Sequence, residues 1–278
     1  MADAIFTDNT TSTGSRWLAV SALNPHAQLR LFCFPYSGAG AFVFRAWLRS
    51  FPAHIEVCPV RLPGRESRID EPLITEMQSL AQMTAAGLRP YLDRPFAFFG
   101  HSMGALLSFE LARYLRRHHG ISPVRLFVGG HGAPHLANDD PPMYDLPEIE
   151  FVTKLRDMNG TPEEVLDDAE LRQLILPTLR ADFAVCETYV YEDDEPLDCP
   201  ISAFGGAQDT YVSRQDLEAW RAHTASHFAV RVFPGDHFFL KTARSFLIRA
   251  ILRDLESVMN QAQTWSAHES AAVLVSAA

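Results

Sequence analysis

The chain has 278 residues, of which 47% are hydrophobic and 21% are charged, a balance typical of a globular protein. Its formal net charge of -10 at pH 7 argues against nucleic-acid binding, which requires a basic surface. No segment reaches the roughly 20 apolar residues of a membrane span. The polar start MADAIFTDNTTSTGS also lacks the basic and apolar regions of a signal peptide. We therefore expect a cytoplasmic protein that binds neither nucleic acid nor a membrane.

The four cysteines, Cys33, Cys58, Cys186 and Cys199, show neither CxxC spacing nor a cysteine and histidine pattern typical of a metal site. Cys33 and Cys58 lie inside apolar runs, where a free thiol behaves as a small hydrophobic group. The sequence also contains no P-loop and no GxGxxG motif. We expect free thiols in a reducing compartment, no metal site and no bound cofactor.

Short apolar runs bounded by proline or glycine alternate with helical segments along most of the chain. The runs predict six buried strands, at 29–35, 55–63, 95–100, 124–130, 199–206 and 228–235. Helical spacing is clearest over 103–118, where Leu107, Leu111 and Leu115 recur every four residues. Strands that alternate with helices predict an α/β fold with a mostly parallel central sheet flanked by helices.

The segment 135–198 interrupts this alternation. It is polar and proline-rich at its start, NDDPPMYDLPE, and then helical, without a convincing strand. Because a connection of this length between strands usually has a function, we interpret it as an inserted helical lid whose polar start is mobile. Its helical half carries an apolar stripe that packs, at least in part, onto the rest of the protein: Leu171, Leu174, Ile175, Leu179 and Phe183.

The remaining chain is predicted to form one discontinuous core domain, from 16–134 and 199–258. Residues 1–15 and 259–278 lack periodicity joined to caps or turns. We predict that both are loosely ordered tails.

Gly100-His101-Ser102-Met103-Gly104 follows the predicted strand PFAFF and opens the predicted helix ALLSFELARYL. This strand, tight turn and helix setting is typical of a nucleophile elbow, in which glycines avoid clashes and the serine lies at the apex. The helix N-terminus also favours a developing oxyanion. The alternative is a glycine-rich turn whose serine only caps the helix. We favour Ser102 as the nucleophile of a serine hydrolase.

A serine nucleophile needs a base of near-neutral pKa, which histidine supplies. In the α/β-hydrolase order, the acid and then the histidine follow the serine on loops after late strands. His237 in FPGDHFFL follows the last predicted strand, and Asp209 in AFGGAQDTYVS follows the strand before it. We predict His237 as the base and Asp209 as the acid that holds its Nδ1–H. Asp236 is a rival acid, but adjacent loop residues rarely face each other, so we expect it to form a turn.

An oxyanion hole needs two backbone N–H donors, one from the residue after the nucleophile and one from the loop after an early strand. The first is predicted to be the N–H of Met103. The second loop is Pro35-Tyr36-Ser37-Gly38-Ala39-Gly40, whose small residues let the backbone approach a substrate. We nominate the N–H of Ser37, the alternative being an ordinary glycine turn.

At these residues the chain resembles the type II thioesterases, the free-standing editing enzymes of polyketide and nonribosomal-peptide synthases, which are α/β-hydrolases. The resemblance extends from about residue 29 to 255. It is carried, in order, by FCFPYSGAGA, VRLPGRESR, RPFAFFGHSMGALLSFELAR, GAPH, LPTLRADF, FGGAQD and GDHFFL. One departure is Tyr36-Ser37-Gly38-Ala39, where the family commonly has His-Ala-Gly-Gly.

The resemblance implies an α/β-hydrolase fold and the hydrolysis of acyl groups from the phosphopantetheine arm of acyl or peptidyl carrier proteins. It implies an editing role, in which stalled or misprimed carriers are cleared. The arm arrives with the substrate, so no further cofactor is implied, and the carrier acts in trans because no carrier segment is evident here. Part of the apolar stripe in 135–198 is expected to roof the acyl channel.

Other functions remain open from the sequence. The chain can be a product-releasing thioesterase that acts in trans, a small-molecule ester hydrolase with the same triad, or a non-catalytic binding module on this scaffold. We expect a monomer.

Two groups of arginines predict a docking patch for an acidic carrier protein on an otherwise negative surface. The alternative is that they are ordinary solvated loop and helix faces. The two groups are Arg61, Arg65 and Arg68 after the second strand, and Arg113, Arg116 and Arg117 on the elbow helix.

Overall fold

The computed structural model describes residues 15–20, 22–137 and 141–276, with the backbone alone for 261–276. The predicted loose tail at 1–15 therefore lies outside the described residues except for Ser15. Part of the polar stretch NDDPPMYDLPE, residues 138–140, also lies outside them.

A single sheet of six parallel strands forms the centre of the molecule, which confirms the predicted α/β class. Its order is β2-β1-β3-β4-β5-β6, and each strand begins within two residues of its predicted start. The first five strands are buried on both faces, as expected for apolar runs in a parallel sheet. The strands are β1 (Leu29–Phe34), β2 (Ile55–Pro59), β3 (Phe96–His101), β4 (Arg125–Gly129), β5 (Ile201–Gly206) and β6 (Phe228–Phe233).

Helices cover both faces of the sheet, and each face has its own hydrophobic cluster. Leu80 and Leu107 belong to the cluster on one face, whereas Trp47 and Leu247 belong to the cluster on the other. A 3-10 helix spans Ala41–Arg49. The α-helices are α1 (Met77–Leu88), α2 (Met103–His119), α3 (Glu148–Met158), α4 (Glu163–Asp167), α5 (Ala169–Glu187), α6 (Arg214–Glu218), α7 (Phe239–Thr242) and α8 (Arg244–Ser276).

The last helix is longer than the sequence pattern indicated. Residues 259–276, which were predicted as a loosely ordered tail, continue α8 as a helix. The physical reason is that this stretch contains neither glycine nor proline, so no residue in it ends the helix.

The segment between β4 and β5 contains α3, α4 and α5, the helical insertion expected from the missing strand pattern. These helices lie over the carboxyl ends of the strands, because side chains of α3 and α5 line one cavity with Ser102 and His237. This edge is where parallel α/β sheets bind ligands. In the described part of the chain, no helix combines the length and apolarity needed to span a membrane.

Candidate active site

Ser102 lies in a sharp turn between β3 and α2. Its φ of 53° is unusual for a residue with a side chain, and its N–H is held by the carbonyl of Gly129 at 2.7 Å. The glycines on either side are needed for close packing. A Cβ on Gly100 would lie 1.9 Å from the carbonyl oxygen of Gly104, and one on Gly104 would lie 2.2 Å from that of Phe34. The turn is thus the strained elbow that the motif predicts, and not a simple capped helix start, since Ser102 makes no side-chain cap bond.

Asp209 and His237 form a hydrogen-bonded pair on neighbouring loops, after β5 and β6. His237 Nδ1 lies 3.0 Å from Oδ2 of Asp209, whose side chain is fully buried. The other oxygen of Asp209 accepts the N–H groups of Tyr211 and Val212 at 2.9 and 3.2 Å. Because an ionised carboxylate only accepts, the proton of a neutral His237 lies on Nδ1, which leaves Nε2 free as a base.

Asp236 has the turn-forming role expected for it. Its carboxylate accepts the N–H of Phe238 at 2.8 Å, two residues further along the loop. This is an Asx turn, and it fixes the loop that carries His237. The structure therefore brings Asp209, rather than Asp236, to the histidine ring.

The ring of His237 is packed among aromatic rings, with centroids of Tyr211, Phe238 and His101 at 5.7, 5.3 and 5.4 Å. His101 is fully buried, and this burial holds its pKa well below the ordinary histidine value. It therefore stays neutral near pH 7 and does not repel an imidazolium that forms on His237.

The loop after β1 supplies the second candidate oxyanion donor. The N–H of Gly38 is bound by Asp182 Oδ2 at 2.7 Å, and the N–H of Ala39 by the carbonyl of Tyr36 at 3.0 Å. Ser37 lines the cavity beside Ser102, and within the described residues its N–H has no acceptor. Met103 is the first residue of α2, where the helix itself offers no acceptor for an N–H. The N–H groups of Ser37 and Met103 are therefore available to bind an oxyanion, and their role as its donors stays a prediction.

Two of the predicted triad residues, Ser102 and His237, line a small cavity of about 50 Å³. A pocket for a substantial ligand usually needs ~300 Å³ or more, so this cavity is too small to hold one. Met158 and Phe183 line both this cavity and a neighbouring groove of about 780 Å³. The cavity is lined by Tyr36, Ser37, Ser102, Leu155, Met158, Gly160, Thr161, Leu179, Phe183, His237 and Phe238.

The apolar stripe of the insertion divides into two parts. Leu179 and Phe183 line the cavity, as expected for the roof of a channel. Leu171 and Leu174 are instead 43% and 56% exposed. The helical spacing of apolar residues therefore predicted the buried face of α5 correctly only in the second half of the helix.

The predicted arginine docking patch is wrong for Arg65, Arg68 and Arg113, which are buried. Arg65 pairs with Asp182, Arg68 with Glu71 and Arg113 with Glu110. The more exposed arginines of the two groups are also paired, Arg61 with Glu66, and Arg116 and Arg117 with Asp194. For the three buried arginines the prediction failed because a sequence does not show which charges neutralise each other, and for Arg61, Arg116 and Arg117 it stays a prediction.

Asp182 was missed as a candidate, although its position carried a signal. It lies three residues after Leu179, on the apolar face of α5, where an unpaired charge is costly. The structure buries it to 2% exposure in an ion pair with Arg65.

Comparisons with known proteins agree with this geometry. The family model described as "Thioesterase domain" matches residues 29–258. The gramicidin S biosynthesis protein GrsT of Aneurinibacillus migulanus is 47% identical over 88% of this chain and 96% of its own length. The structure of the type II thioesterase BorB from the borrelidin biosynthetic cluster is similar, with a TM-score of 0.79, 33% identity, and coverage of 88% of this chain and 99% of that one. The thioesterase RedJ from the prodiginine pathway of Streptomyces coelicolor has a TM-score of 0.75 at 39% identity, covering 84% of this chain and 90% of that one.

Proposed function

This chain belongs to the thioesterase family, and we propose that it hydrolyses acyl groups from the phosphopantetheine arm of carrier proteins in polyketide or nonribosomal-peptide biosynthesis. The observation that carries the proposal is that His237, hydrogen-bonded to buried Asp209, lines the same cavity as the elbow serine, Ser102. The names of GrsT, BorB and RedJ refer to the biosynthesis of gramicidin S, borrelidin and prodiginine, which supports a role in biosynthesis of this kind. The match covers nearly the whole of each of these proteins, which supports a shared activity along the full matched length.

Acylation begins when Nε2 of His237 takes the proton of the Ser102 hydroxyl as the serine oxygen attacks the thioester carbonyl. Asp209 holds the imidazolium that forms and fixes the ring in the required tautomer. The negative charge moves to the carbonyl oxygen, which binds the N–H groups of Ser37 and Met103. The tetrahedral intermediate then collapses, the carbon–sulfur bond breaks, and an acyl-serine remains.

The departing thiol has a pKa near 8.5, so it can leave as a thiolate more readily than an amine can leave. The thiolate then takes the proton from His237, which becomes neutral again. In the second half of the reaction His237 takes a proton from water. The hydroxide attacks the acyl-serine carbonyl, the free acid leaves, and Ser102 recovers its proton from His237. The base is therefore required for attack and for deacylation.

We propose an editing role, in which the enzyme clears stalled or misprimed carriers, because the chain resembles the type II thioesterases and BorB is described as one. The carrier protein is the partner and brings the phosphopantetheine arm, so no further cofactor and no metal takes part. We propose that the enzyme is a cytoplasmic monomer that binds neither nucleic acid nor a membrane.

The small volume of the cavity supports a role for the insertion as a lid. An acyl chain and the end of a pantetheine arm need far more room than about 50 Å³. Movement of Met158, on α3, would join the cavity to the neighbouring groove. We propose that the lid opens in this way when the arm enters.

The decisive experiment is hydrolysis of an acyl-group panel on several carrier proteins, with Ser102→Ala as the blank. The wild type should turn over carrier thioesters, and Ser102→Ala should lose about five or six powers of ten in kcat with unchanged circular dichroism. A folded Ser102→Ala variant that keeps a tenth of wild-type activity would exclude Ser102 as the nucleophile.

The same panel separates the alternatives. An ester hydrolase would prefer the oxygen ester of the same acid to the carrier thioester. A product-releasing enzyme would prefer the full-length chain of one pathway, whereas an editing enzyme should cleave short and misprimed acyl groups on several carriers.

A further inference from the structure

We propose that Arg65 and Asp182 are positioning residues that hold the oxyanion loop, so that the loop has its active shape only while α5 is docked on the core. The inference rests on the proposed function and deepens it. Asp182 belongs to α5 of the insertion, whereas Arg65 belongs to the loop after β2. The pair therefore joins the lid to the catalytic core next to the predicted oxyanion hole.

Each member of the pair makes a hydrogen bond to the backbone of the oxyanion loop. Asp182 Oδ2 accepts the N–H of Gly38 at 2.7 Å. Arg65 donates to both oxygens of Asp182, at 2.7 and 2.6 Å, and the same guanidinium donates to the carbonyl of Ala39 at 3.1 Å. One buried ion pair thus fixes an N–H and a carbonyl in two successive residues directly after Ser37.

Gly38 shows how closely α5 approaches the loop. Its φ of +73° lies in the left-handed region that favours glycine, and a Cβ there would lie only 2.3 Å from Leu179 of α5. With its following peptides held by the ion pair and by the Tyr36–Ala39 hydrogen bond, Ser37 has little freedom to turn its own N–H.

Stability alone is a poor explanation of this ion pair. The side chains of Arg65 and Asp182 are 8% and 2% exposed, so both charges lose their hydration on folding. Replacing such a pair by apolar side chains is often neutral or stabilising, because the attraction only offsets the desolvation. What apolar side chains cannot reproduce is the direction of the hydrogen bonds to Gly38 and Ala39. Removing the pair is therefore expected to affect the oxyanion loop more than the fold.

The test uses the double variant Arg65→Met/Asp182→Leu and the single variant Asp182→Asn. The double variant leaves no unpaired buried charge, so it should fold even if Asp182→Asn does not. The matched control is Arg30→Met/Glu56→Leu, which removes a similarly buried ion pair at 2.9 Å between β1 and β2, away from the cavity lining. The other charged partner of Arg30, Asp93, is 52% exposed, so this control also leaves no unpaired buried charge.

Two quantities are compared for each variant. One is kcat with an acyl thioester, and the other is the affinity of an acyl-chain boronic acid, whose tetrahedral adduct with Ser102 places an oxygen in the oxyanion hole. Loss of the positioning pair should lower both by about 100-fold, since a displacement of about 1 Å at a catalytic group can cost that much. The affinity of a non-cleaved substrate, measured in a Ser102→Ala background, should change less than threefold.

Further outcomes separate this inference from the proposed function. The control should keep kcat and boronic-acid affinity within threefold of wild type, and Arg65→Lys, which keeps the charge but loses the planar fork, should recover part of the loss. A folded double variant with wild-type kcat, or one that loses kcat but binds the boronic acid normally, would overturn the positioning role. If the wild type itself fails to cleave any acyl thioester, the proposed function is wrong instead.

Discussion

The two walls of the active-site cavity are held in different ways. The catalytic wall consists of Ser37, Ser102 and His237 with Leu179 and Phe183 of α5; the α3–α4 wall consists of Leu155, Met158, Gly160 and Thr161. The catalytic wall is held in place by the ends of buried parallel strands and by the buried Arg65–Asp182 pair.

The α3–α4 wall has weaker attachments. Its helices share a separate cluster of five buried side chains with α5, far smaller than the clusters on the sheet. Its ion pairs are exposed, as where Arg156 meets Asp167 and Glu163, and exposed ion pairs contribute little to stability. The five buried residues are Phe151, Leu155, Leu166, Leu176 and Leu179.

The difference indicates which wall can open. Catalysis requires that the triad and the oxyanion loop stay fixed, whereas admission of the arm requires that one wall moves. Local openings occur where few apolar contacts are lost. We therefore expect α3 and α4 to move while α5 stays docked, so that the moving part of the insertion is smaller than the whole of 135–198.

The largest effect that tests this comparison is expected at Asp209, which orients His237 of the catalytic wall. Asp209→Asn keeps the size of the side chain but favours the wrong tautomer of His237, and should lower kcat by about 10⁴-fold. Steady-state kinetics with a carrier thioester would measure it. The matched control is Asp236→Asn, which touches only the turn at Phe238 and should cost less than tenfold. A larger loss in Asp236→Asn would mean that Asp209 is not the acid.

The next effect tests whether the fixed helix α5 sets the length of the acyl chain. Phe183→Ala opens space at the cavity, and each further methylene that it buries contributes up to ~0.8 kcal/mol, or about fourfold in kcat/KM. The optimum in a chain-length series should shift to longer acyl groups. Leu174→Ala is the control, because Leu174 is on the same helix but exposed.

Two results would contradict this assignment. If Phe183→Ala only lowers the melting temperature and keeps the wild-type profile, the side chain is packing and chain length is set elsewhere. If Leu174→Ala shifts the optimum equally, the exposed half of α5 also contacts the acyl chain.

The same contrast explains how much was predictable from the sequence. The strands were predictable because buried parallel strands are continuous apolar runs, and the elbow was predictable because its turn requires glycines next to the serine. The Arg65–Asp182 pair was not, because its partners are 117 residues apart and only the fold brings them together. Local sequence patterns thus predicted the loops that carry the catalytic residues. The attachment of the insertion could not be predicted in this way, because it depends on long-range pairing of charges.

The smallest effect is expected in the α3–α4 wall. Arg156→Ala removes the ion pairs with Glu163 and Asp167, whose side chains are 57% and 64% exposed, so global stability should fall by less than about 1 kcal/mol. Hydrogen exchange of residues 148–167 should nevertheless become faster, because these pairs join α3 to α4, while exchange in the second half of α5 stays unchanged. Mass spectrometry of peptides from both segments, with Arg214→Ala as a control for an exposed ion pair within α6, would measure this. Equal acceleration in α5 would show that the two parts of the insertion open together, and the distinction between the walls would be lost.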